Sequence, residues 1–209
     1  MARGLLSLAS AVFARIVARC VGLTRNARPA ITPPIPSSSL QSTSRENAIP
    51  RMNKSEQRPA GAEAIRLICR WEGFRPEPYL CAAQVPTIGY GTTVYPDGSK
   101  VSMQDPEITE AQAKQFLKAH IAKNIEPTLT REVGDIVNQN QYDALVSFIY
   151  NVGMANFRKS TLLTHLKARD FRRAAEEFPR WTKAGGKVLA GLIARRKDER
   201  ELFERDPWA

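Results

Sequence analysis

Three cysteines and two histidines are all that 209 residues hold, and no acidic residue precedes Glu46. Cys20, Cys69 and Cys81 are too few and too scattered for a disulfide framework, and no Cys/His spacing resembles a metal site. His120 and His165 stand alone, as residues on helix faces do. A long uncharged apolar run is also missing, because Leu5 to Leu23 is interrupted by Arg15 and Arg19, which makes it a poor transmembrane helix. Acidic charge is scarce only at the start. Residues 1–60 hold nine Lys/Arg against two Asp/Glu, whereas residues 61–209 hold 22 against 19. The basic excess therefore belongs to the N-terminal part, and a nucleic-acid interface on the folded part has little basis.

What is present divides the chain into three. Residues 1–25 are acid-free and Arg-bearing with a helical apolar stripe, the composition of a membrane-surface helix, a targeting segment or an imperfect signal sequence. Residues 26–58 carry five prolines among Ser, Thr, Asn and Gln, which cannot bury enough apolar surface to fold and read as a linker. Residues 59–209 alone have the periodicity of a domain. Thr109 to Gln112 has capping-box form, followed by the face Ala113, Phe116, Leu117, Ile121 and Ile125 before Pro127 ends the helix. Tyr142, Leu145, Val146, Phe148, Ile149 and Val152 surround one helix, the central buried one, closed by Gly153. Leu162, Leu163 and Leu166 belong to another, Asp170 caps a third, and Val188 to Glu204 forms the last, with Arg195, Arg196 and Lys197 toward solvent or substrate.

Ala64, Ile65, Ile68 and Trp71 recur at helical intervals, which puts Glu72 near the end of an amphipathic helix, at the edge of its buried face. A carboxyl partly withdrawn from water keeps its proton longer and can donate it near neutral pH. Gly73, Pro76 and Pro78 stop the helix and turn the chain, and Val85 to Tyr90 reads as a hairpin strand in a small lobe of about residues 79–104. Eight residues separate Glu72 from Cys81, and five separate Cys81 from Thr87. A hairpin of that length brings Cys81 and Thr87 across a cleft from Glu72. That geometry protonates a glycosidic oxygen from one side and acts on the anomeric carbon from the other.

The run from Trp71 to Gly91, with Glu72, Cys81 and Thr87 at this spacing, resembles the catalytic segment of phage-type lysozymes, glycoside hydrolase family twenty-four, in its Glu/Cys/Thr variety. The resemblance extends over about residues 59–205. Phe148 to Gly153 resembles the central-helix segment, and Trp181 to Gly186 with Gly191 to Arg196 resembles the C-terminal one. It implies an α+β, lysozyme-like fold, with a mostly helical lobe and a small β-hairpin lobe flanking the cleft. It implies catalytic Glu72, Cys81 and Thr87, and substrate contacts at Tyr90, Asn151 and Arg196. Thr92 stands where many members have His after the Gly-Tyr-Gly turn, so any ion pair of that His is lost here.

The implied activity is that of an endolysin hydrolysing the β-1,4 bond between N-acetylmuramic acid and N-acetylglucosamine, with Glu72 as general acid and no metal or organic cofactor. Cys81 would position the attacking water with Thr87, or attack the anomeric carbon itself. Peptidoglycan is the expected partner of a monomer, with anionic membrane or lipopolysaccharide a further one through residues 1–25. The protein would be made in the host cytoplasm and act in the periplasm. A thiol in the cleft is also open to capping by Cys20 or Cys69, a redox control resembling that of signal-anchored endolysins. Competing readings are a lytic transglycosylase, which closes the sugar on its own hydroxyl, and a wall- or membrane-binding module driven by the basic N-terminus.

Overall fold

The computed structural model describes residues 58–206. The readings of residues 1–25, of Cys20 and of nearly all of the linker lie outside the described residues. Eight α-helices and two small hairpins make up the described part: α1 (Ala62–Glu72), β1 (Arg75–Leu80), β2 (Pro86–Gly89), α2 (Glu110–Asn124), α3 (Glu126–Val133), α4 (Gln139–Val152), α5 (Met154–Arg158), α6 (Thr161–Lys167), α7 (Phe171–Glu177), β3 (Lys183–Ala184), β4 (Lys187–Val188) and α8 (Ala190–Phe203).

Helix α4 is the axis of the structure, buried from Gln141 through Tyr150 and again at Val152, as its all-round apolar pattern predicts. Gly153 ends it at φ 86°, a left-handed conformation that costs a side-chain-bearing residue energy. Around α4 an aromatic cluster forms, with Phe148 edge-on to Phe178 at 5.3 Å and to Trp181 at 5.4 Å. The capping box of α2 is present, with Thr109 and Gln112 exchanging hydrogen bonds, and Asp170 caps α7 through the Arg173 amide. A second capping box, Asn138 with Gln141, starts α4.

Three readings of the sequence need correction. Pro127 does stand where α2 has ended, but it also occupies the first turn of α3, where its missing N–H removes no helix bond. Pro76 and Pro78 do not merely turn the chain; they lie within β1, which tolerates them because each strand of a two-stranded hairpin has an open edge. Pairing is accordingly irregular between Arg75 and Tyr79, then regular at Tyr79 with Thr87 and Leu80 with Pro86. Arg195 and Arg196 do not face solvent at all, being 0% and 1% exposed.

The chain enters the domain under restraint. Ala60 N–H donates to Glu126 at 2.7 Å, Gly61 N–H to Asp143 at 2.8 Å, and the Arg58 guanidinium lies 5.7 Å from the Tyr142 ring centre while bonding the Val137 carbonyl. Asp143, 2% exposed, thus serves as the cap that Gly61 lacks.

Candidate active site

Glu72 is the last residue of α1, and its side chain is 4% exposed. Burying a carboxylate costs several kcal/mol unless it is paired. The partner comes from α8: Arg195 Nη1 donates to Glu72 Oε1 at 2.7 Å. Arg195 also donates through Nε to Glu199 at 3.0 Å and through Nη2 to the Ser147 carbonyl of α4 at 3.2 Å. Burial works against the charge of Arg195, but the carboxylates of Glu72 and Glu199 outweigh it and raise its pKa above the usual guanidinium value. Glu199 Oε1 collects three donors: Ser147 Oγ at 2.8 Å, Arg195 Nε at 3.0 Å and Arg196 Nη2 at 3.0 Å. One carboxylate thus ties α4 to α8 and, through Arg195, to the end of α1.

The hairpin supplies the other side. Cys81 N–H donates to the Val85 carbonyl, so Cys81 opposes Val85, and Tyr79 opposes Thr87. Alternation along a strand then places Tyr79, Cys81, Val85 and Thr87 on one face of the hairpin. Cys81 and Thr87 are buried at 2% and 0% exposure, whereas Leu80, on the opposite face, is 49% exposed. Thr87 Oγ1 donates its proton to the Val85 carbonyl at 2.9 Å, which leaves the oxygen available as an acceptor. Tyr79, under an Arg75 guanidinium 4.4 Å from its ring centre, shares this face. Burial raises the pKa of its hydroxyl; Arg75 opposes that rise, while Glu72 and Cys81 add to it. Tyr79 therefore stands within electrostatic reach of both Glu72 and Cys81.

The remaining expected residues are placed as follows. Asn151 Oδ1 accepts from Arg196 Nη2 at 3.1 Å, and Arg196 lies 4.9 Å from the Phe148 ring centre. Arg196 also lines a cavity of about 350 Å³ with Pro179, Thr182, Ile193, Lys197 and Arg200. Tyr90 is a core residue, 3% exposed, with its hydroxyl donating to Glu110 and its carbonyl accepting from Tyr150. His120, on α2, meets the Tyr150 ring edge-on, and Thr92 pairs through its backbone with Ile88. No group of metal-ligating side chains gathers among the described residues.

Sequence reading missed Ser147, Glu199 and Tyr79. The spacing of Arg195 and Glu199, four apart on a helix, was a usable sign of a pair, and the reading of this face as turned to solvent or substrate passed over it.

A phage lysozyme description matches residues 69–199, a span that includes Glu72, Cys81, Thr87, Asn151, Arg195 and Glu199. The chain belongs to the phage lysozyme family. An endolysin of Acyrthosiphon pisum secondary endosymbiont phage 1 is 42% identical over 146 residues, 68% of this chain and 95% of that protein. A SAR-endolysin of bacteriophage PS119 is 37% identical over 134 residues, covering 63% of this chain and 75% of its own. The solved structure of an endolysin from Escherichia coli O157:H7 phage FAHEc1 superposes with a TM-score of 0.60 at 30% identity, covering 71% of this chain and 95% of that one. This lysozyme is thus an α+β, endolysin-type glycoside hydrolase that degrades the peptidoglycan of the bacterial cell wall. The transglycosylase and binding-module readings gain no support.

Proposed function

We propose that Glu72 is the general acid for cleavage of the β-1,4 bond between N-acetylmuramic acid and N-acetylglucosamine, and that Cys81 and Thr87 position the attacking water. What supports the reading is a buried, Arg195-clamped carboxyl at the end of α1, with Cys81 and Thr87 buried on one face of the hairpin that follows and Tyr79 of that face within reach of both Glu72 and Cys81. Arg195 occupies Oε1 of Glu72, so Oε2 carries the proton that passes to the glycosidic oxygen as the bond to the anomeric carbon breaks. The water donates to the Thr87 oxygen, whose own proton is committed to Val85. The Cys81 sulfur holds the water by a hydrogen bond as the water's hydroxyl joins the anomeric carbon; its other proton leaves to solvent, and Glu72 regains a proton from solvent. Asn151, oriented by Arg196, offers its amide nitrogen to the sugar. Tyr90 acts through its backbone, fixing where the hairpin returns to the core. No cofactor enters.

The product anomer tests this route. An α-configured first product, seen by rapid NMR, is expected of inversion through a positioned water; a β-configured one rejects it in favour of attack by Cys81. The enzyme acts as a monomer in this reading, made in the host cytoplasm and reaching the wall from the periplasm. Residues 1–25 would hold it to anionic membrane or lipopolysaccharide on the way. Among the described residues no helix is long and apolar enough to cross a membrane. A chain lacking residues 1–57 should keep cutting purified wall and lose killing of intact cells; equal losses in the two assays would reject the surface-binding role. Oxidation followed by reductant tests capping of Cys81, since unchanged activity with only free thiols found by mass spectrometry rejects it.

A further inference from the structure

Away from the cleft, between α1 and α2, lies a cavity of about 450 Å³ that the hydrolytic reaction does not use. Its floor is apolar, from Ala60, Ala62, Ile65 and Cys69, and Arg66, Lys114 and Lys118 line it as cations. Two acids adjoin it: Glu63 bonds Arg66 at 2.8 Å and also Arg205 at 3.1 Å, and Glu110 bonds Lys114 at 2.8 Å. Three cations therefore line the pocket beside two carboxylates, a surplus of one. Lys118 has no ion pair among the described residues.

The position of the cavity narrows the occupant. Ala60 and Ala62 are where the N-terminal sixty residues, with a balance of +7, join the domain, so a basic pocket and a basic tail meet at one point. Charge excludes the tail itself as the filler. An apolar floor beneath cations suits a group that is anionic at its head and lies at an apolar boundary.

We infer that this pocket takes the phosphate headgroup of an anionic phospholipid, turning the α1–α2 face toward the membrane. The inference extends the reading of residues 1–25 as surface-binding. Tail and pocket would act as two linked contacts, the first raising the effective concentration of headgroups at the second.

The thiols let one experiment separate the two contacts, because Cys69 lines the pocket and Cys20 belongs to the tail. The full-length protein is labelled with a thiol-alkylating reagent, and labelling is read peptide by peptide with vesicles of phosphatidylglycerol and phosphatidylcholine or of phosphatidylcholine alone. Burial raises the Cys69 thiol above its ordinary pKa, so mildly alkaline buffer is used. Anionic vesicles should slow Cys69 labelling severalfold, and neutral ones should not. Arg66→Gln with Lys118→Gln should lift that protection and weaken vesicle binding by about fivefold for each charge removed, while hydrolysis of wall fragments in solution is unchanged. Protection of Cys20 without Cys69 overturns the pocket and leaves the tail reading standing; protection of Cys69 alone does the reverse. Equal protection by glycerol phosphate in solution, or by purified wall, overturns the membrane assignment, as does protection that survives the double substitution.

Discussion

The two sides of the cleft are built on opposite principles. On the helical side Glu72 ends α1 beneath a network in which Arg195, Arg196, Glu199 and Ser147 are all at most 1% exposed. On the other side Cys81 and Thr87 stand on a two-stranded hairpin whose first strand holds two prolines, pairs irregularly and is mostly exposed. A proton donor needs a fixed electrostatic setting, and a buried network with its charges matched supplies one that water cannot reorganise. A water-positioning pair needs correct placement, which cross-strand register provides. The difference implies that damage to the helical side should register in stability as well as rate, and damage to the hairpin chiefly in rate.

Glu72→Gln is the harshest test. The amide keeps the shape and loses the transferable proton, so turnover of purified wall should fall by about 10²-fold to 10⁴-fold while the near-UV circular dichroism of the fold persists. Near-normal turnover would remove Glu72 from its role. Arg195→Met asks whether the network is a structural clamp. It strands Glu72 as a buried carboxylate and leaves Glu199 to Arg196 and Ser147 alone, and urea unfolding should register a loss of about 3–5 kcal/mol. A loss under about 1 kcal/mol would mean that water reaches the site far more readily than its burial indicates.

Cys81 probes the opposite side. Cys81→Ala should lose most activity while moving the unfolding midpoint less than Arg195→Met does, and Cys81→Asp should retain or raise activity because a carboxylate accepts hydrogen bonds better. If Cys81→Asp is as inactive as the alanine variant, water positioning is the wrong role. The smallest effect belongs to a peripheral ion cluster. Glu132, on α3, meets Arg158 of α5 at 3.0 Å and Lys167 of α6 at 2.6 Å, and chiefly the Lys167 bond lowers its pKa. A lowered folded value contributes stability that is present above the ordinary glutamate pKa and lost as pH falls through the folded value. Glu132→Gln should therefore cost about 0.5–1 kcal/mol at neutral pH and nearly nothing in strong acid, as compared by urea titration.

The same contrast explains what was legible beforehand. Helix α4 and the capping box of α2 could be read because period and end chemistry are local. The Glu72, Cys81 and Thr87 spacing was legible too, since a helix end and a tight hairpin leave the chain few ways to run. The burial of Arg195 and Arg196 was not legible because arginine is so rarely buried that only its partners reveal it, and two partners of Arg195, Ser147 and Glu72, lie 48 and 123 residues away in sequence. Helix α3 was missed because Pro127 reads equally as the end of one helix and the start of the next.

The restraint at residues 58–61 decides where this polypeptide can be cut and rejoined. A payload, a label or a foreign leader attached ahead of Arg58 meets the domain at a junction that Val137, Glu126 and Asp143 already hold. A cut only four residues later removes Ala60 and Gly61, and with them the amide bonded to buried Glu126 and the shorter of the two amide bonds to buried Asp143. The helix loosened at that end is the one whose far end is Glu72, eleven residues on. An error of four residues at the junction would therefore appear in the laboratory as a failed enzyme, not as a frayed terminus.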